Sequence, residues 1–181
     1  MTSRGRGLGE EGSSFLEVLA VLPILVLLLC VLGYAFFWSM DQFRYELADW
    51  ITQEEVRGAM ERIVEDAKPA KEVAISTGLR GFSRIKLIKR AKAEGDVDPF
   101  DIYAAEQPGG GSIRKINKGG TTYPLTGDNI FANVTITRFY GKWKPPATLR
   151  IEVEGMSVVS GNRYQLKRDI FLPEAMRDAD G

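Results

Sequence analysis

Residues Phe15 to Trp38 read FLEVLAVLPILVLLLCVLGYAFFW, and Glu17 is the one charged residue among these 24 positions. About 20 apolar residues cross the hydrocarbon core of a bilayer, so the run is long enough for a transmembrane helix. A helix of a soluble core keeps a polar face, and this segment has none. It is also long for the apolar part of a secretory signal, and no small-x-small cleavage pattern comes after it. The segment reads as one membrane-spanning helix over 13–39. Arg4 and Arg6 precede it, with Glu10 and Glu11 between them and the run, whereas Asp41, Arg44, Glu46, Asp49, Glu54 and Glu55, mostly acidic, follow it. Membrane orientation responds mainly to Lys and Arg, which places the N-terminus in the cytoplasm and the remaining chain outside.

Composition removes much chemistry. Lys+Arg and Asp+Glu both total 24, so no charge excess points to nucleic acid or to a disordered acidic tail. Histidine is absent, and with it the commonest general base and zinc ligand. The single cysteine, Cys30, lies in the apolar run, where it reads as a small apolar residue. The expectation is a protein that is not an enzyme and carries no cofactor or metal.

Glu17 needs its own explanation. A carboxylate deep in lipid is costly, and such residues usually have a function. The plainer reading leaves it among headgroups near the positive end of the helix dipole. The surrounding residues are Gly12-Ser13-Ser14-Phe15-Leu16-Glu17, then Val18-Leu19-Ala20-Val21-Leu22. This pattern resembles the signal of type IV prepilins and type II secretion pseudopilins: a short polar leader ending in glycine, a few residues, a glutamate, then an unbroken apolar helix. The resemblance implies that a membrane peptidase cuts between Gly12 and Ser13, removing a leader of residues 1–12, and methylates the new terminus at Ser13. It further implies that Glu17 of one subunit neutralises the terminal amine of a neighbour during assembly. Either charge alone in an apolar environment is unfavourable, whereas the pair is tolerated. Two features depart from the family pattern: Glu10-Glu11 stand where leaders are more often basic, and Pro23 comes earlier than the proline of many major pilins.

Beyond the membrane run, Met40, Phe43, Leu47, Trp50, Ile51, Met60, Ile63, Val64 and Ala67 recur at three- and four-residue steps. This predicts an amphipathic continuation over 40–68, ended by Pro69, with Gly58 as a candidate interruption. Its charged face reads first as solvated and second as a partner surface. From 69 to 175, β-branched and aromatic runs alternate with glycine-rich breaks, predicting strands near 71–77, 82–90, 101–105, 113–117, 130–139, 147–154 and 163–172. The fold class expected is α+β and pilin-like, a long helix packed on an antiparallel sheet, with a tail at 176–181. The order Asp101-Ile102-Tyr103, a glycine run, Ser112-Ile113-Arg114-Lys115, then Pro124-Leu125-Thr126 resembles larger minor pilins: J-type pseudopilins, PilW-like minor pilins and ComGF-like competence pilins.

Several motifs carry less. Gly109-Gly110-Gly111-Ser112 precedes a strand and reads as a turn, since a phosphate loop needs a helix after the glycines. Asn133-Val134-Thr135 matches a glycosylation pattern in mid-strand by chance. Lys86, Lys89, Arg90 and Lys92 form a local basic cluster near Phe82. Arg138, Lys142, Trp143 and Lys144, with Tyr140, form a second patch on a predicted loop; it reads as a solvated or subunit-contact surface before a single-stranded nucleic-acid surface. Asp96, Asp98 and Asp101 lack the spacing of a calcium loop. The functional expectation is a structural, minor subunit of a pilus-like or pseudopilus fibre, with a prepilin peptidase, an inner-membrane assembly platform and other pilin subunits as partners. The alternative is a signal-anchored, single-pass membrane protein whose outer domain binds a ligand or partner.

Overall fold

The computed structural model describes residues 8–77, 82–90, 97–105, 111–127, 134–144, 147–172 and 176–177, with side chains from 17 to 172. Helix α1 spans Leu8–Ala67 without interruption. It passes through Pro23, which removes one intrahelical N–H, and through Gly58. Lys68 N donates to Val64 O at 3.1 Å, and Pro69 then turns the chain into the first strand. The chain divides into two compact units, Met1–Arg44 and Tyr45–Gly181, with the division falling within α1.

The described residues of the first unit are all helical. From Val18 to Trp38 its large apolar side chains are exposed, and a window of the helix reaches a mean hydropathy of 2.8 with none of it buried. The helix is long and apolar enough to cross a membrane.

Among the described residues, the second unit combines the remainder of α1 with nine strands: β1 Ala70–Thr77, β2 Ser83–Lys89, β3 Phe100–Ala105, β4 Ile113–Asn117, β5 Thr122–Pro124, β6 Val134–Lys144, β7 Thr148–Ser157, β8 Arg163–Phe171 and β9 Met176–Arg177. This is an α+β layout. The single expected sheet is in fact two, ordered β5-β4-β3-β2-β1-β9 and β6-β7-β8. All pairings are antiparallel except β1 with β9, so part of the expected tail adds an edge strand. The helix buries Ala48, Ile51, Thr52, Val56, Ala59, Met60, Ile63 and Ala67, a stripe at helical spacing. Met40, Phe43, Leu47 and Trp50, expected on that stripe, are exposed. The buried stripe begins at Ala48, on a neighbouring line of the helix surface.

Strand alternation supplies the other walls of the core. Val73, Ile85, Leu87, Tyr103 and Ile113 come from the first sheet, and Leu149, Ile151 and Val153 from the second. In β6 the buried positions switch from Val134 and Ile136 to Phe139 and Gly141. A bulge at Thr137 causes the switch, and the Thr137 hydroxyl donates to Glu154 Oε1 at 2.9 Å across it. Two glycines expected to break strands instead lie inside them, where neighbouring elements come close. A Cβ on Gly141 would sit 3.0 Å from Ile85 Cδ1 of the other sheet. A Cβ on Gly155 would sit 2.6 Å from Val56 Cγ2 of α1. The absence of a side chain in β7 therefore sets how closely the helix approaches the second sheet.

Overpacking a site of this kind costs about 1–3 kcal/mol. Chemical denaturation of Gly155→Ala is expected to show a loss in that range. Because Val56 is the obstructing group, the Gly155→Ala/Val56→Ala double variant is expected to lose less than the two single losses added together. Simple additivity would place the contact elsewhere.

Candidate functional site

Two features carry the expectations: the start of α1 and the charged surfaces of the second unit. Glu17 is exposed on the helix, directly before the uncharged run that starts at Val18. Gly12 and Ser13 lie within α1, whose first residue is Leu8, so the helix begins upstream of the expected leader boundary. Glu10 and Glu11 favour helix there, because carboxylates in a first turn complement the helix dipole. Gly9 and Gly12 also lie in this stretch, each about 1 kcal/mol poorer than Ala in a helix. Cys30 is an exposed free cysteine on the same apolar run.

The expected basic patch is organised differently from its prediction. Arg138, Lys142, Trp143 and Lys144 lie on β6, not on a loop. Alternation turns Trp143 to the core, away from the three cations. On the outer face, cross-strand neighbours answer most of the charge. Arg138 pairs with Glu152 at 3.6 Å and lies 5.6 Å from the Tyr140 ring centroid, while Lys167 also reaches Glu152 at 3.6 Å. Arg150 grips Asp169 through two hydrogen bonds of 2.7 Å, Lys144 approaches Asp169 at 3.7 Å, and Arg163 approaches Glu154 at 3.5 Å. Sequence neighbours looked like a cationic cluster; the sheet interleaves them with carboxylates.

The other cluster is split by the same alternation. Lys86 faces outward, 4.8 Å from the Phe100 ring centroid, whereas Lys89 turns to the core side. Lys92 lies outside the described residues, as do Asp96, the Gly109–Gly110 stretch and Asn133. Gly111 O accepts from Ile136 N at 2.9 Å, tying the segment before β4 to β6. Asp98 pairs with Lys71 at 3.3 Å, and Asp101 is occupied by lysines.

Those lysines belong to a constellation that sequence reasoning missed. Asp66, in the last turn of α1, accepts from Lys89 Nζ (β2) at 2.8 Å, from Lys115 Nζ (β4) at 2.7 Å and from the Tyr103 hydroxyl (β3). Asp101 completes the square, 2.8 Å from Lys89 and 3.2 Å from Lys115. Burial pushes the Asp66 carboxyl up, but the bonds from Lys115, Lys89 and Tyr103 outweigh it and hold the group well below 3.8. Burial likewise pulls Lys89 down, and its bonds to Asp101 and Asp66 outweigh that and raise it above 10.5. Burial and the bond to Asp66 push the Tyr103 phenol far above 10.0. Asp66, Lys89 and Tyr103 are thus held in their ordinary neutral-pH forms, which suits a clamp and not proton transfer. A cleft of about 480 Å³ beside it is lined by Gly58, Arg62, Lys115, Asn117, Tyr123 and Leu125.

Two further carboxylates of α1 hold loops. Asp49 accepts from Asn162 Nδ2 at 2.6 Å and from the Ser160 hydroxyl, in a β7–β8 turn that Gly161 closes at φ 76°. Glu55 accepts from Gly127 N at 2.8 Å. The charged face expected on the helix is therefore partly an inward set of anchors.

No family model, curated protein or solved structure matches the chain.

Removing one member of a fully buried ion pair costs about 3–5 kcal/mol. Asp66 keeps 19% of its side chain in contact with water, so Asp66→Asn is expected to lose less, about 2 kcal/mol, in chemical denaturation. The pH dependence comes from the direction of each shift. Asp66 titrates lower when folded, so its contribution is present above 3.8 and disappears as the pH falls through the folded-state value. Lys89 titrates higher when folded, so its contribution is present below 10.5 and disappears as the pH rises through its folded-state value. Stability measured across pH is expected to show both declines, and Asp66→Asn should flatten the acid one.

Proposed function

We propose that the chain is a structural, minor subunit of a type IV pilus-like or pseudopilus fibre, processed by a prepilin peptidase and assembled through its N-terminal helix. The observation that carries this reading is Glu17, the only charge from Phe15 to Trp38, standing five residues into a chain that would begin at Ser13. The exposed apolar helix from Val18 to Trp38 supports it, since such a surface requires lipid or other helices around it. The α+β second unit is compatible with a pilin domain. In this reading the N-terminus starts in the cytoplasm, and the second unit lies outside the cytoplasmic membrane and passes into the fibre on assembly. Partners are the peptidase, an inner-membrane assembly platform and other pilin subunits. The protein itself catalyses nothing and needs no cofactor.

The chemistry assigns Glu17 a definite role. Cleavage leaves an ammonium at Ser13 about one helical turn from the carboxylate. Within one chain the two compete for little space; between axially shifted copies each satisfies the other and fixes the register of packing.

Intact mass spectrometry of membrane-extracted protein, expressed with and without a prepilin peptidase, tests the processing step. Loss of about 1.2 kDa with one methyl added at Ser13, dependent on the peptidase, is the expected result. An intact leader in the presence of active peptidase would favour a signal-anchored binding protein instead. Glu17→Ala is expected to leave cleavage and the fold of the second unit unchanged. It should lower fibre yield by about tenfold or more, because the terminal amine loses its partner.

A further inference from the structure

The formal charge of zero conceals a separation. Between Asp41 and Ala67 eight carboxylates face three arginines, whereas from Lys68 onward 19 basic residues face 13 acidic ones. Each of these regions presents one surface on which a single sign of charge dominates.

On the helix, Asp49, Glu55 and Asp66 are turned to the β-rich region. Glu46, Trp50, Glu54, Arg57, Glu61 and Glu65 remain exposed and succeed one another at three- or four-residue steps, which places them on one line of the helix. Arg57 pairs weakly with Glu54 at 3.7 Å, leaving the line acidic. Trp50 stands within it, 60% exposed.

On the first sheet, Lys86 sits between Ala74 and Ile102, and Arg84 and Arg114 both flank Ala104, all on the face opposite the core. Ile88, Phe100, Ile102 and Ile116 share that face and are half-buried, but none belongs to the core cluster. Glu72 is the one carboxylate among the strand residues of this face. The face therefore combines apolar side chains with the cations Arg84, Lys86 and Arg114. The second sheet offers no equivalent, because Glu152, Glu154 and Asp169 interleave its cations.

We propose that the outer face of the first sheet docks the acidic helix line of a second copy of this chain. Lys86 and Arg84 meet the carboxylates of Glu54 and Glu61, and Trp50 covers the half-buried isoleucines. A second copy is the occupant because one chain carries both complementary surfaces at a net charge of zero. The helix line and the outer sheet face both point away from the core that lies between them, so engaging one surface leaves the other free and the contact is heterologous. The proposal rests on the fibre reading and supplies its lateral contact.

The test uses the full chain in detergent, with unlabelled and ¹⁵N-labelled copies mixed and joined by a carbodiimide that links lysine to carboxylate at zero length. The expected product is a mixed-isotope peptide joining Lys86 to Glu54 or Glu61. Glu54→Lys/Glu61→Lys is expected to reduce it by about tenfold or more, with circular dichroism unchanged because both positions are exposed. Mixing that variant with Lys86→Glu copies reverses both partners, and mixed-isotope links between position 86 and position 54 or 61 should return. Links of Lys86 confined to one copy, links to a different surface, or indifference to charge reversal would overturn the contact. None of these results depends on whether the leader is cut, so intact mass on the same sample separates failure of the contact from failure of the fibre reading.

Discussion

Asp66 holds the second unit together at the point where helix and sheet must agree. One carboxylate in the last turn of α1 accepts from residues on β2, β3 and β4 at once, so those strands keep both their register and their distance from the helix. Two lysines and two aspartates make the group neutral, which is what allows four charges to remain largely shielded from water. Asp49 and Glu55 repeat the device on a smaller scale, each fixing a loop to the same helix. Hydrophobic burial supplies the driving force, and these carboxylates decide where along the helix each strand and turn is placed.

Much of this arrangement was legible. The apolar run, the helix end at Pro69, the α+β class and most strands come from periodicity that survives into the structure. The errors share a cause. Gly141 and Gly155 read as breaks because glycine is usually a turn residue, but both lie in strands where another element comes too close for a Cβ. The 138–144 segment read as a loop for the same reason, and the resulting patch dissolved once alternation separated Trp143 from its cationic neighbours.

The clamp was invisible for a different reason. Lys89 continues the inward series Ser83, Ile85 and Leu87, which looks wrong for a lysine until its partners are known. Those partners lie 23 and 12 residues away, and Lys115 lies 49 residues from Asp66. An inward lysine in an apolar alternation is a usable signal that a buried carboxylate exists somewhere, but it does not say where.

The two units answer to different surroundings. The second ties its helix to its strands and turns through charged groups of its own, whereas the first leaves a helix of exposed apolar residues with one carboxylate near its start. Nothing in the described residues of the first unit answers that carboxylate, and assembly with processed neighbours is the proposed answer. The most direct measurement is to shear the surface of cells that carry the chain, a prepilin peptidase and a pilus assembly machine. Released fibres are then probed for this protein and its N-terminus. Chains beginning at Ser13 in the sheared fraction are the expected result. Chains confined to the membrane and still beginning upstream of Gly12 would contradict assembly as the purpose of Glu17.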